Sequence, residues 1–251
     1  DFLERTTTNL FGSGSNKSIW LIRDECHQET KNLNDISSDY FEKIINLSAT
    51  PNLKKGQNPD VLISDDDAVN AKLIKRVELG NDTETVEDAI NKFEDIKVQY
   101  RNLLGVNPCL IIQISTKDKA EQEWQHIKSI LNDTKHQNLK WMLIVDKKEK
   151  CSTNDKVGKL RVDKWKEYAK MKESTIDIII FKMVISEGWD IPRACMLYQV
   201  RDSHSKQLDM QVMGRVRRNP RLVDFEKLSP DAQELATTAW IWGILPKKKK
   251  K

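Results

Sequence analysis

Short apolar words with little alternation dominate this sequence: CLIIQI at 109–114, KWMLIV at 140–145, IDIIIF at 176–181 and CMLYQV at 195–200. A strand with one wet face alternates apolar and polar residues. A strand covered on both faces does not, and double covering belongs to parallel sheets flanked by helices. Amphipathic stretches at 85–104, 118–131, 162–171 and 206–212 fall between the words. Strand and helix in alternation predict an α/β fold built on parallel sheets. Two earlier words, at 18–23 and 43–47, have the same strand character, and no internal repeat is present.

At 251 residues the chain can bury one large core or two small ones. Its mean hydropathy is −0.62, and its longest apolar words fall well short of the roughly 20 residues a membrane span needs. An integral membrane protein is excluded. Four cysteines, at 26, 109, 151 and 195, show no paired spacing, which excludes a disulfide scaffold and reads as reduced thiols in a cytoplasmic protein. The formal charge of +4 falls to −1 without the five lysines at 247–251, so the basic excess is all tail. That tail reads as a disordered appendage, with a polyanion-binding patch as the other reading. Residues 147–172 are locally basic, with ten Lys or Arg against four acids and with Trp165 and Tyr168 among them. They read as a solvated helix face or as a phosphate-contacting surface.

Residues 51–70 are polar, and 71–82 lead into the first long helix. The expected organisation is a partial first lobe at 1–70, a connection at 71–82, a nearly complete second lobe at 83–246 and the lysine tail at 247–251. The chain starts at Asp1 without a signal-peptide pattern. Both ends read as cut, with more of the first lobe expected upstream.

Four words at strand ends or helix starts carry the chemistry. Asp24-Glu25-Cys26-His27 follows an apolar strand, where parallel sheets present side chains to ligands. Paired acids there can divide metal-assisted phosphoryl chemistry, one ordering Mg²⁺ through water and the other orienting the attacking water. Leu47-Ser48-Ala49-Thr50-Pro51 places small hydroxyl residues at a second strand end. Ser186-Glu187-Gly188-Trp189-Asp190 offers a glycine for close backbone approach and an aspartate for a sugar hydroxyl. Gln211-Val212-Met213-Gly214-Arg215-Val216-Arg217-Arg218 sets three arginines beside a glycine. Such guanidinium forks recognise phosphate oxygens. Each word alone is also compatible with an ordinary turn, cap or basic helix face.

Taken in order, DECH, SAT, SEGWD and QVMGRVRR resemble motifs II, III, V and VI of superfamily 2 helicases and translocases, with CLIIQIS at 109–115 in the place of motif IV. In detail, SEGWDIPRACMLYQVRDSHS followed by QVMGRVRRNP resembles the restriction subunit of type III restriction–modification enzymes. Ile191 and Arg193-Ala194 depart from the Asn-rich form of that segment, so a type I restriction subunit or another defence translocase stays open. The resemblance implies RecA-like lobes that hydrolyse ATP with Mg²⁺ on duplex DNA, with a modification methyltransferase as partner subunit and a nuclease domain downstream. It implies that Asp24 positions Mg²⁺ and Glu25 activates water. His27, Ser48, Thr50 and Gln211 would couple nucleotide state to lobe closure. Gly188, Asp190 and Gly214 would lie at the nucleotide, and Arg215 and Arg218 would act as arginine fingers with Arg217 facing outward. Ser115 and Ser186 would touch the DNA backbone.

None of the nine glycines opens a GxxxxGK[ST] phosphate loop. Gly12-Ser13-Gly14-Ser15-Asn16-Lys17-Ser18 has the wrong spacing and abuts the DECH strand. The expectation is therefore a motor fragment inactive by itself. An RNA helicase of the same superfamily, a non-catalytic nucleic-acid-binding module and a nucleotide-binding regulator that does not translocate remain as alternatives.

Overall fold

The computed structural model describes residues 18–24, 26, 41–49, 51, 53, 56–81, 83–115, 119–182, 189–200 and 206–243, with only the backbone of 206–209 and 211. Glu25, His27, Thr50, Ser186, Gly188 and the lysine tail lie outside the described residues. The chain divides into two compact units, Asp1–Leu62 and Ile63–Lys251.

In the first unit, β1 (Trp20–Arg23) and β2 (Lys43–Asn46) pair in parallel, Trp20 opposite Lys43 and Arg23 opposite Asn46. Arg23 Nε donates to Asn46 Oδ1 at 2.9 Å, and the Lys43 ammonium sits over the Trp20 ring. The pairing runs on past the strands, where the Cys26 amide donates to the Leu47 carbonyl.

The second unit follows chain order α1 (Asp65–Asn70), β3 (Arg76–Leu79), α2 (Val86–Gln99), β4 (Cys109–Gln113), α3 (Lys119–Leu131), β5 (Trp141–Ile144), β6 (Ser152–Thr153), α4 (Val162–Lys170), β7 (Ile178–Phe181), β8 (Ala194–Gln199), α5 (Lys206–Val216), α6 (Pro230–Ala236) and β9 (Thr238–Gly243). Its sheet has the order β3-β9-β8-β4-β7-β5-β6, parallel throughout except for the short edge strand β6. The α/β expectation with a parallel sheet holds.

Both faces of the sheet are covered, as the un-alternating words require. Leu110, Ile112, Ile178, Ile180, Met196 and Trp240 pack under α2, α3 and α6. Ile111, Ile179, Phe181, Leu197 and Ile241 pack on the other face under α4 and α5. Each such aliphatic side chain, fully buried, contributes about 1.5–3 kcal/mol. Helix α2 shows how local sequence sets an element. Thr85 and Asp88 form a reciprocal capping box, and Val86, Ala89, Ile90, Phe93 and Ile96 supply the buried stripe. The helix widens into a π turn at Tyr100–Leu104 and stops at Gly105 in the left-handed region.

Residues 71–82, read from sequence as a connection, include β3, which pairs with β9 at one sheet edge. Strands β6 and β9 and helices α1 and α6 are additions to the sequence reading. At the amino edge of the sheet, the guanidinium of Arg193 is almost wholly buried and donates to the carbonyls of Ala169, Asn107, Pro108 and Ile176 and to Ser174 Oγ. One side chain thus ties the end of α4 to the segments entering β4 and β7.

Candidate nucleotide and nucleic-acid site

In the first unit, the exits of the parallel strands bring Asp24 and Ser48 to one edge. The Leu47 amide donates to the Arg23 carbonyl at 2.8 Å, which aligns the two exits. Asp24 is exposed and Ser48 half-buried. Among the described residues, no group of three or more His, Cys, Asp or Glu could hold a metal ion. Mg²⁺ keeps most of its water and takes one or two carboxylates plus phosphate oxygens. An exposed aspartate at a strand exit suits that demand, and Asp24 would hold the ion. When bound, it would draw charge off the phosphates. The glycine and lysine cradle for those phosphates is not written in this sequence.

In the second unit, the SEGWD and QVMGRVRR words meet. Trp189 and Ile191 are buried, and Trp189 donates its indole N–H to the Lys166 carbonyl. Asp190, between them, is half-buried, and its Oδ1, itself shielded from solvent, lies 2.8 Å from Arg218 Nε. The contact is ionic rather than a well-aligned hydrogen bond. Helix α5 seats Val212 and Val216 on the sheet, one turn apart, which leaves Gly214 exposed. Among the described residues, and apart from its own helix backbone, a Cβ built on Gly214 meets no atom within 4 Å. Arg215 is half-buried in the last turn, and of Gln211 the structure gives only its place in α5.

Arg217 corrects the sequence reading. Expected to face outward, its side chain is only 16% exposed. It grips Asp65 with both terminal nitrogens, at 2.6 and 2.8 Å, and donates Nε to the Lys75 carbonyl at 2.9 Å. The hydrogen bonds from Arg217 hold the Asp65 carboxyl below its ordinary value, against the opposing effect of partial burial. Beside it the Lys75 side chain is fully buried, donating to the Ala194 carbonyl at 2.8 Å and lying over the Tyr100 ring. Burial pushes its ammonium down to about 8.

The carboxyl edge of the sheet carries the remaining chemistry. The connections that follow β4 and β8 leave toward opposite faces, through α3 and α5, the arrangement that opens a ligand crevice in α/β sheets. At that point Gln199 Nε2 donates to Gln113 Oε1 at 2.8 Å, with both residues fully buried. Gln113 Nε2 and Gln199 Oε1 have no partner among the described residues. Ser115 lies on the same edge, and its amide and hydroxyl both donate to Glu123. Beyond it a cleft of about 580 Å³ is floored by Ile114, Trp124, Leu143 and Val145 and rimmed by Lys147, Lys150 and Lys182, with Glu121 and Asp146 among its walls.

No protein-family profile matches this chain, and no curated protein matches it. Among solved structures it is similar to the ATP-dependent Type ISP restriction-modification enzyme LlaBIII bound to DNA. That match has a TM-score of 0.41 and 14% identity, and covers 94% of this chain and 19% of that one. It is also similar to S. cerevisiae Dbp5 bound to RNA and ADP BeF3, with a TM-score of 0.34 and 13% identity over 98% of this chain and 57% of that one. The chain therefore spans about a fifth of the first protein and little more than half of the second.

Sequence reading passed over Asp65, Lys75, Gln113, Gln199 and the Lys147, Lys150 and Lys182 rim as a group. The basic run at 147–172 was the available signal for two of those lysines. In the structure the run is divided, because Lys148 pairs with Asp163 and Lys170 with Glu167, while Lys147 and Lys150 reach the cleft. Nothing in the local sequence marks the glutamines, whose meeting depends on which strands become neighbours.

Proposed function

We propose that this chain contributes the last strands of a first RecA-like lobe and a second RecA-like lobe to a superfamily 2 motor that hydrolyses ATP on duplex DNA in a type III restriction enzyme. The observation that carries the reading is the meeting of Asp190 with Arg218, which joins two of the four motif words at one place on the second unit. In this reading Asp24 positions Mg²⁺, Glu25 orients the hydrolytic water, and Arg215 and Arg218 stabilise charge on the transferring phosphoryl group. His27, Ser48, Thr50 and Gln211 relay nucleotide state, and Gly188 and Gly214 give room for close approach. Ser186, Ser115 and the lysine-rimmed cleft face the nucleic-acid backbone, which cations engage regardless of base sequence. A methyltransferase subunit would supply site recognition, and a nuclease domain the cut.

A second reading, an RNA helicase of the same superfamily, is supported by the same cleft, since lysines suit either backbone. The deciding experiment joins this chain to a phosphate-loop-bearing segment and measures phosphate release with duplex DNA, with RNA and with neither. Stimulation by duplex DNA, abolished by Glu25→Gln while ATP still binds, is the expected result. Stimulation by RNA alone would move the assignment to the second reading. ATP that neither binds nor turns over would leave a non-catalytic module.

A further inference from the structure

The chain enters the second unit at Ile63, and the residues that follow are fastened to the far end of α5 by contacts from both sides. Ser64 and Asp67 close a capping box around the start of α1, which sets Asp65 in the first turn. After α1 the backbone reverses through Lys72, whose φ of 60° lies in the left-handed region. Asn219 Nδ2 donates to the Lys72 carbonyl at 3.2 Å, and Ile74 forms an isolated antiparallel bridge with Arg218. The Lys75 amide donates to the Arg217 carbonyl at 2.6 Å, and Arg217 Nε donates back to the Lys75 carbonyl. The Lys75 side chain then plugs into the core.

Across this seam Arg217 spends its planar fork on Asp65, a geometry an ammonium cannot reproduce. Arg215 and Arg218 flank it on the same short stretch of chain. The middle arginine of the QVMGRVRR word is therefore turned inward onto the entering segment, while Arg218 meets Asp190.

We propose that Asp65 and Arg217 form a latch that makes residues 63–76 and residues 217–219, just past the end of α5, move as one piece, so that displacement of the chain entering at Ile63 reaches Arg218 directly and Arg215 through the end of the helix. Arg217 is a positioning residue in this arrangement. The consequence for ATP turnover rests on the proposed function, whereas the mechanical coupling does not.

Hydrogen–deuterium exchange on the 251-residue chain tests the latch, comparing wild type with Asp65→Asn, Arg217→Lys and the double variant. The Asp65 side chain is 65% exposed, so its replacement by Asn leaves the packed core intact. Each single variant should speed exchange at 71–77 and at 216–219 together, on the order of tenfold, with β4 and β7 unchanged and the double variant no worse than either single one. Faster exchange at 71–77 alone, no change at either segment, or an equal rise in β4 and β7 would each overturn the proposal. In the ATP-hydrolysing protein, Asp65→Asn should lower kcat while leaving KM for ATP unchanged, and a parallel change in both would count against the positioning role. A wild-type chain that hydrolyses no ATP even when joined to a phosphate-loop-bearing segment would refute the proposed function and leave the exchange result to decide the latch.

Discussion

Arg218 Nε lies 2.8 Å from Asp190 Oδ1, with each side chain about half exposed to solvent. An ion pair so exposed contributes about 0–1 kcal/mol to folding, because water screens it and two side chains lose freedom. Stability therefore gives little reason for the pair. Asp190→Asn should change urea unfolding by less than about 1 kcal/mol. In the ATP-hydrolysing protein, Arg218→Ala or Arg215→Ala should lose about 10³-fold or more in turnover if that residue is a finger. Full turnover in both variants would remove these arginines from the phosphoryl chemistry.

Arg193 presents the opposite case, a cation whose worth is structural. Its guanidinium has 3% of its residue surface exposed and satisfies four carbonyls and one hydroxyl. Arg193→Ala would leave those carbonyls dry and unpaired beside a cavity, at a cost on the order of 3–5 kcal/mol. Arg193→Lys should recover only part of the loss, since one ammonium cannot span the same set of acceptors. Chemical unfolding of both variants measures the difference, and a loss below about 1 kcal/mol in Arg193→Ala would contradict the account.

How much of this was written locally follows from the physics of each element. Strands β4, β5, β7 and β8 are legible because they are covered on both faces, so their apolar runs are unbroken. Strand β3 is an edge strand with charged Arg76 and Glu78 turned to solvent, and its pattern is lost in the polar stretch around it. Strand β9 follows the short helix α6 after the single residue Thr237, with no Gly, Pro, Asn or Asp to mark the break. Ser229 and Pro230, the N-cap and first-turn proline of that helix, were the local signal that could have marked it. The motif words fixed Asp24, Ser48, Asp190 and the arginines as candidates. The direction of Arg217 was not legible, because its partner Asp65 lies 152 positions earlier and reaches it only through the fold.

Gly214 separates stability from function. It sits inside α5, where glycine is less favourable than alanine by about 0.5–1 kcal/mol, and a Cβ there meets nothing within 4 Å among the described residues outside its own helix backbone. Gly214→Ala should therefore raise stability by about that amount. If the open space receives nucleotide or nucleic acid, the same substitution lowers turnover in the ATP-hydrolysing protein. A variant both more stable and fully active would remove Gly214 from the site.

The buried Lys75 predicts a pH dependence with a definite sign. Its folded-state value is pushed from 10.5 to about 8 by desolvation, only weakly countered by Cys195. Between those values the unfolded chain binds the extra proton and the folded one does not, so this group makes the protein more stable as pH rises from about 8. Burial drives the thiols the other way, Cys109 to about 11 and Cys195 to about 12, so their contribution falls as pH rises through 9. The two trends overlap in the wild type, and Lys75→Met separates them because the thiols are common to both proteins. Between pH ~7.5 and ~9 the wild type should gain about 1 kcal/mol relative to Lys75→Met, read from urea midpoints at several pH values. A gap that stays constant across that window would mean that Lys75 keeps its ordinary proton affinity. The lysine would then not be sealed in the core against Tyr100 and the Ala194 carbonyl.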